Sequence, residues 1–134
     1  MVFVDSNVWI GWLNQNDRHH QKASVIFDQF KNEVFIEKIY VTSGIVHDVV
    51  NHLFKIKGKE TAEKALDLFL TTPSISILFL TDDIWKITIE NFYQHTFGLT
   101  DAQIVAAMEM TGENTLVSFD QHFDQIPWIK RGSQ

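Results

Sequence analysis

The chain opens with Met1-Val2-Phe3-Val4-Asp5-Ser6-Asn7, in which three apolar residues run directly into an acid. We predict that Val2–Val4 form a short buried strand and that an amphipathic helix follows Asp5. A stretch late in the chain, Thr115–Ser118 and then Asp120, repeats this order of strand and acid. If both strands are parallel and central in one sheet, their acids meet at the carboxyl edge, where such folds bind ligands.

The remaining sequence alternates short apolar strands with longer amphipathic helices. With two Pro, six Gly and no stretch of low complexity, it shows no linker, and we predict a single domain over residues 1–134. The alternation predicts a three-layer α/β/α domain with a central, mainly parallel sheet. The further strands are predicted at Lys38–Val41, Ile75–Leu80 and Trp128–Ile129, and the further helices at Asp17–Phe30, Thr42–Lys57, Glu60–Leu70, Asp82–His95 and Thr100–Met110.

Composition limits the function classes. The 134 residues are 45% hydrophobic, which excludes a disordered chain, and the absence of Cys excludes a disulfide scaffold and fits a reducing compartment. No apolar run approaches the roughly 18 residues of a membrane span, and no signal-peptide pattern is present, so we expect a cytoplasmic protein without a membrane partner. Eleven basic against seventeen acidic residues give a net charge of −6, so nucleic acid could bind only through a local patch or a bound cation.

Four acids are candidates for one site at the sheet edge. Asp5 and Asp120 follow strands, Asp101 lies on the inward face of its helix, and Asp48 lies at the edge of an apolar helix stripe. Acids that converge in this way repel one another unless a cation is present, and oxygen ligands without Cys favour Mg²⁺ or Mn²⁺, which suit work on phosphates. The alternatives are that the strand-end acids only cap helices and that Asp48 is half solvated. Thr100 is the expected N-cap beside Asp101.

Four segments together resemble the motifs of PIN-domain nucleases, in order along the chain: Val2–Asn7, Thr42–Val49, Leu99–Ala107 and Leu116–Phe123. The resemblance implies a PIN-like fold and an endoribonuclease that hydrolyses RNA phosphodiester bonds with Mg²⁺ or Mn²⁺. The chain length is similar to that of VapC-like toxins, the ribonucleases of type II toxin–antitoxin pairs. That likeness implies a homodimer and a cognate antitoxin protein as partner.

The resemblance also implies the roles of the site residues. Asp48 stands where the family has Glu and would reach the metal directly or through water, and His122 stands where the family often has an acid. Asp5, Asp101, Asp120 and Asn7 match the family pattern, and Ser118 stands where the family more often has Thr. The resemblance thus implies the metal-binding and catalytic acids Asp5, Asp48, Asp101 and Asp120, and the supporting residues Asn7, Ser118 and His122.

Several alternatives stay open. The lysines Lys55, Lys57 and Lys59 are candidate phosphate contacts, although an ordinary solvated helix end explains them as well. The pair His19-His20 is predicted to be a solvated helix start, because adjacent helix residues face different directions. In place of a nuclease, the chain could be a catalytically weak or inactive PIN-like module that binds RNA or protein. A phosphoacceptor receiver domain is disfavoured, because the opening strand carries one acid instead of an acidic pair.

Overall fold

The computed structural model describes residues 1–32 and 38–132, and residues 33–37 and 133–134 of the predicted domain lie outside this description. The described strands are β1 (Val2–Val4), β2 (Ile39–Thr42), β3 (Ile75–Leu78), β4 (Thr115–Val117) and β5 (Lys130–Gly132). They form one central sheet in the order β3-β2-β1-β4-β5, and all four described pairings are parallel. This confirms the predicted parallel sheet.

Within the described residues, six helices flank the sheet, and the predicted α/β/α class is confirmed. A short 3₁₀ turn at Gln121–Gln125 follows β4. Among the described residues, none of the helices combines the length and apolar character needed to cross a bilayer. The helices are α1 (Ser6–Leu13), α2 (His20–Asn32), α3 (Ser43–Lys57), α4 (Lys59–Thr71), α5 (Asp82–Gln94) and α6 (Leu99–Thr111).

The middle of the sheet is the core of the molecule. Phe3 and Val4 of β1 are completely buried, because strands on both sides and helices on the faces exclude water from them. The Trp9 indole lies under β1, packs against Phe27 and Phe69, and donates its N–H to the Val4 carbonyl over 3.1 Å. The apolar residues that precede Asp5 therefore hold the start of the chain at the sheet centre.

Two strand predictions are wrong in part. The expected strand at Trp128–Ile129 is a turn, in which the Ile129 N–H donates to the Ile126 carbonyl over 3.1 Å, and β5 begins only at Lys130. β3 ends at Leu78, two residues before the predicted end at Leu80. Its residues are half-buried because the strand lies at the edge of the sheet and has one neighbouring strand.

The start of α6 also differs from the prediction. Gly98 is the N-cap and Thr100 lies inside the first turn, so the expected capping box does not form. The Gln103 side chain instead accepts a hydrogen bond of 3.1 Å from the Gly44 N–H of α3. A Cβ at Gly44 would lie 2.5 Å from that amide oxygen, so any larger residue there would displace the Gln103 side chain. This contact holds the two acid-bearing helices together.

Candidate active site

Asp5 and Ser118 lie side by side at the carboxyl edge of the sheet, because β1 and β4 are parallel neighbours with Val4 opposite Val117. The Asp5 N–H donates to the Val117 carbonyl over 2.9 Å and continues the pairing past the end of β1. The Ser118 hydroxyl donates to Asp5 Oδ2 over 2.7 Å. Residues more than a hundred positions apart in sequence thus form one buried hydrogen-bonded pair.

Asp5 is both a helix cap and a buried acid. Its Oδ1 accepts a hydrogen bond of 2.7 Å from the Ser6 N–H at the start of α1. The alternative that this strand-end acid caps a helix is therefore confirmed for Asp5. The side chain is nevertheless only 3% exposed. Burial raises the pKa of Asp5, the hydrogen bonds from Ser118 and Ser6 lower it, and nearby Asp120 raises it. A cap alone would not need to be buried beside a second carboxylate.

Asp120 lies in the loop that follows β4 and is fixed by three contacts. Its N–H donates to the Ser118 hydroxyl over 3.0 Å, which links it to the Asp5 pair. Its Oδ1 accepts from the His122 N–H over 3.0 Å and so caps the 3₁₀ turn. The same oxygen lies 3.3 Å from His122 Nε2, on an imidazole that is more than half exposed. His122 therefore stands at the open side of the acids.

Asp101 lies in the first turn of α6, and its carboxyl group is strongly perturbed. Its pKa is raised from 3.8 to about 7, first by burial and then by the negative charges of Asp5 and Asp120. His122 lowers the pKa and Asp48 raises it by a smaller amount. The charges of the other three predicted acids therefore all act on the Asp101 carboxyl group.

Asp48 lies at the periphery of this cluster. It is exposed on α3, and its pKa is raised by partial burial and lowered by neighbouring His47. Its effect on Asp101 is weaker than that of Asp5 or Asp120. The alternative of a partly solvated helix residue thus describes its surroundings, while its position still faces the acids.

The lysines that are candidate phosphate contacts lie away from the acids. Lys55, Lys57 and Lys59 are exposed around the end of α3, and Lys57 lies nine residues beyond Asp48. At the helical rise this is about 13 Å along the axis. Lys59 lies over the Phe54 ring, at 5.9 Å from its centroid. These side chains form a separate surface, as expected for a solvated helix end.

A cleft of about 550 Å³ adjoins Asp120 and contains residues that the sequence analysis missed. His19 lies on its wall, stacked on Phe119, and His20 donates its Nδ1–H to the Gly11 carbonyl over 2.8 Å. The predicted helix start is confirmed, since α2 begins at His20, but the predicted solvation is wrong in part, because both rings are half-buried and each has its own partner in the fold. The cleft is lined by Asn7, Ile10, Asp17, Arg18, His19, His52, Phe119, Asp120 and Gln121.

Two side chains hold the loop that carries Asp120. Asn7 accepts a hydrogen bond of 3.3 Å from the Phe119 N–H, which ties α1 to this loop. Arg131 of β5 donates to both oxygens of Asp124, over 2.8 and 3.1 Å, and to the Ser118 carbonyl over 3.1 Å. In the sequence, Asp124 and Arg131 are only an acid and a base seven residues apart. The pairing of β5 with β4 brings Arg131 to the loop after β4, and no local sequence pattern indicates that pairing.

The donor set has the chemistry of a hard-cation site, since it consists of carboxylate and hydroxyl oxygens that repel one another in the absence of positive charge. Across residues 1–32 and 38–132, no three His, Asp or Glu side chains are placed to hold a metal ion as they stand. The acids fit a cation in the chemistry of their oxygens.

Fold and site together define a parallel α/β protein with clustered acids at the carboxyl ends of its central strands. The chain belongs to the PIN domain family, whose model matches residues 2–129. The resemblance noted in the four sequence motifs is thereby confirmed.

Individual relatives are distant but cover nearly the whole chain. Ribonuclease VapC13 of Mycobacterium tuberculosis is 22% identical over 131 residues, which are 98% of each chain. VapC20 of the same organism, described as a toxin that cleaves the sarcin-ricin loop, superposes with a TM-score of 0.80 at 19% identity and covers 93% of this chain and 94% of its own. A toxin–antitoxin complex from Klebsiella pneumoniae superposes with a TM-score of 0.69 at 17% identity, covering 97% and 96%.

Proposed function

We propose that the protein is a VapC-like toxin, an endoribonuclease that hydrolyses RNA phosphodiester bonds with Mg²⁺ or Mn²⁺. The observation that carries this proposal is the gathering of Asp5, Asp101 and Asp120 at the carboxyl edge of a PIN-domain sheet, where the charges of Asp5 and Asp120 help to raise the pKa of Asp101. A fold that needed these acids only as caps would not gather them at one edge, because their repulsion opposes folding. The full-length relationship to a protein named as a ribonuclease supports the same activity.

We assign the cation to Asp5, Asp101 and Asp120, with Asp48 binding directly or through a water molecule. When bound, the cation would supply Lewis-acid chemistry, which polarises the scissile phosphate and activates water for attack. The chain's own contribution is the placement of the acids. Ser118 orients the Asp5 carboxylate by its 2.7 Å hydrogen bond and positions the Asp120 backbone by the 3.0 Å one.

His122 is a candidate for contact with the substrate phosphate. Its ring is more than half exposed beside Asp120, at the open side of the site. An imidazole there would donate a hydrogen bond to a phosphate oxygen when protonated. Asn7 is a positioning residue in this scheme, because it holds the backbone of the residue that precedes Asp120.

The proposed partners follow from the same class of protein. We propose that a cognate antitoxin binds the chain, since one structural neighbour is a toxin–antitoxin complex. We also propose that the chain forms a homodimer, as the family resemblance implies. Size-exclusion chromatography with light scattering on the pure protein measures directly whether the chain forms a dimer.

A binding module without catalytic activity is the alternative, and two observations favour it. The described side chains include no preset group of three metal ligands, and Asp48 is shorter by one methylene than the Glu of the family pattern. In that case the chain would bind RNA or a protein partner and leave RNA intact.

Cleavage of a mixed RNA pool separates the two functions. The purified protein is incubated with Mg²⁺, with Mn²⁺ and with EDTA, beside the variants Asp5→Asn and Asp28→Asn. Asp28 is an exposed acid of α2 and controls for the loss of one negative charge. We expect cleavage that needs metal, that disappears in Asp5→Asn and that persists in Asp28→Asn. Intact RNA under every condition, with folding verified by circular dichroism, would favour the binding module.

A further inference from the structure

The wall of the cleft beside Asp120 carries an arginine side chain and a stacked pair of rings that the proposed nuclease chemistry does not use. Arg18 is exposed at this wall, and the rings of His19 and Phe119 stack with centroids 4.6 Å apart and planes 28° apart. Phe119 directly precedes Asp120 in the chain. The pair therefore adjoins the acid cluster.

Local hydrogen bonds hold this wall in place. Arg18 donates its Nε–H to His19 Nε2 over 3.2 Å, and Asp17 accepts from the His19 N–H over 2.9 Å. On the other side, the Phe119 backbone is held by Asn7 over 3.3 Å. Both rings of the stack are thus supported independently, one by the turn before α2 and the other by α1.

Charge makes the position of Arg18 informative. The chain carries a net charge of −6, and Arg18 is the one Lys or Arg among the described residues that line this cleft. None of the ion pairs formed by the described residues involves it. Because the lysines at the end of α3 lie away from the acids and Arg131 is paired with Asp124, a polyanion that entered this cleft toward Asp120 would meet the positive charge of Arg18.

We propose that this wall is a nucleotide subsite for single-stranded RNA, in which Arg18 binds a backbone phosphate and a base stacks on the His19–Phe119 pair. The proposal rests on the proposed ribonuclease function and assigns the place of a nucleotide next to the scissile bond. Unpaired bases stack on aromatic and imidazole rings, and Arg binds phosphate. A volume of about 550 Å³ is within the range of pockets that enclose small ligands.

Fluorescence anisotropy of a labelled single-stranded oligoribonucleotide in EDTA tests the subsite apart from cleavage. Arg18→Gln is compared with Lys22→Gln, which removes an equal charge from an exposed site on α2. We expect Arg18→Gln to bind about fivefold more weakly and to lower the slope of log affinity against log salt by about 0.7, the value for one phosphate on a single strand. Lys22→Gln should leave both quantities near those of the unchanged protein.

The stacking surface is tested with two variants at one position. Phe119→Leu should weaken binding about tenfold without a change in salt slope, and Phe119→Tyr should restore it, because stacking needs an aromatic ring. Thermal melting of each variant checks that the fold is intact. If Phe119→Leu does not fold, His19→Gln replaces it and should weaken binding with the slope unchanged.

The outcomes separate the subsite from the nuclease. Metal-dependent cleavage by the unchanged protein, together with equal affinities and salt slopes for Arg18→Gln and Lys22→Gln, would overturn the subsite and leave the nuclease standing. A double-stranded oligoribonucleotide that binds as well as the single strand would overturn it too. Absence of both RNA binding and cleavage would overturn both proposals.

Discussion

Replacing Asp101 by Asn should stabilise the protein while it removes a proposed metal ligand. Asp101 is the acid whose folded-state pKa is raised from 3.8 to about 7, by burial and by repulsion from Asp5 and Asp120. A shift of this size corresponds to roughly 4 kcal/mol of unfavourable free energy in the ionised folded state. Asp101 is partly exposed and Asn keeps a polar group in place, so we expect a gain of about 1–2 kcal/mol.

The sign of the pH dependence follows from the direction of the shift. Between about pH 4 and pH 7, folded Asp101 keeps a proton that the unfolded chain has lost. The stability of the unchanged protein therefore falls as the pH rises through this window, and the full penalty is present above pH 7. The advantage of Asp101→Asn should consequently be largest at about pH 8 and be largely lost near pH 4.

Thermal denaturation in EDTA measures this effect. At about pH 8, Asp101→Asn should melt roughly 5–10 °C above the unchanged protein, and Asp28→Asn should melt close to it. Adding Mg²⁺ should raise the midpoint of the unchanged protein and have less effect on Asp101→Asn, because a ligand stabilises the state that binds it. A variant that is no more stable than the unchanged protein at pH 8, or equally favoured near pH 4, would refute the electrostatic reasoning.

Three further predictions concern the groups that support the acids. Ser118→Ala should raise the pKa of Asp5 by removing a hydrogen bond that lowers it, so the pH profile of RNA cleavage should move to higher pH, and Ser118→Thr should reverse the change. Arg131→Lys keeps the charge but cannot span both Asp124 oxygens, so melting temperature and cleavage rate should both fall. Asp124→Asn should have the same effects, and the double variant should be no worse than either single one. Gly44→Ala should displace the glutamine amide of α6 and cost about 1 kcal/mol in urea denaturation.

Local patterns were enough for most of the fold. The helices end within a few residues of the predicted bounds, because apolar spacing and Gly or Pro breaks are local signals. The last strand was misplaced because Trp128–Ile129 has the apolar composition of a strand, whereas Lys130–Gly132 has that of a loop. Pairing of Lys130 with Thr115 makes it a strand, and partner choice at a sheet edge does not show in local composition.

The candidate site divides in the same way. Asp5, Asp101 and Asp120 became candidates because each follows a strand or shares an inward helix face, which are local features, whereas Asp48 lies only at the edge of an apolar stripe. Arg18, His19 and Arg131 could not be predicted, because a turn and a strand pairing bring them to the acid loop. His19 is positioned by a ring a hundred residues away, and no spacing in the sequence marks that contact.

The four acids are not equivalent, and the difference shows where stability and function oppose each other. Hydrogen bonds from Ser118 and Ser6 lower the pKa of Asp5 and so favour its charged form despite deep burial. Among the described residues, no hydrogen bond does this for Asp101, whose neighbours are mostly other acids. The fold therefore leaves the partly buried Asp101 carboxylate without donors of its own among the described residues, and a cation beside it would offset the repulsion from Asp5 and Asp120. If Asp101 were only structural, a neutral side chain would serve the fold better at neutral pH, which the melting experiment tests directly.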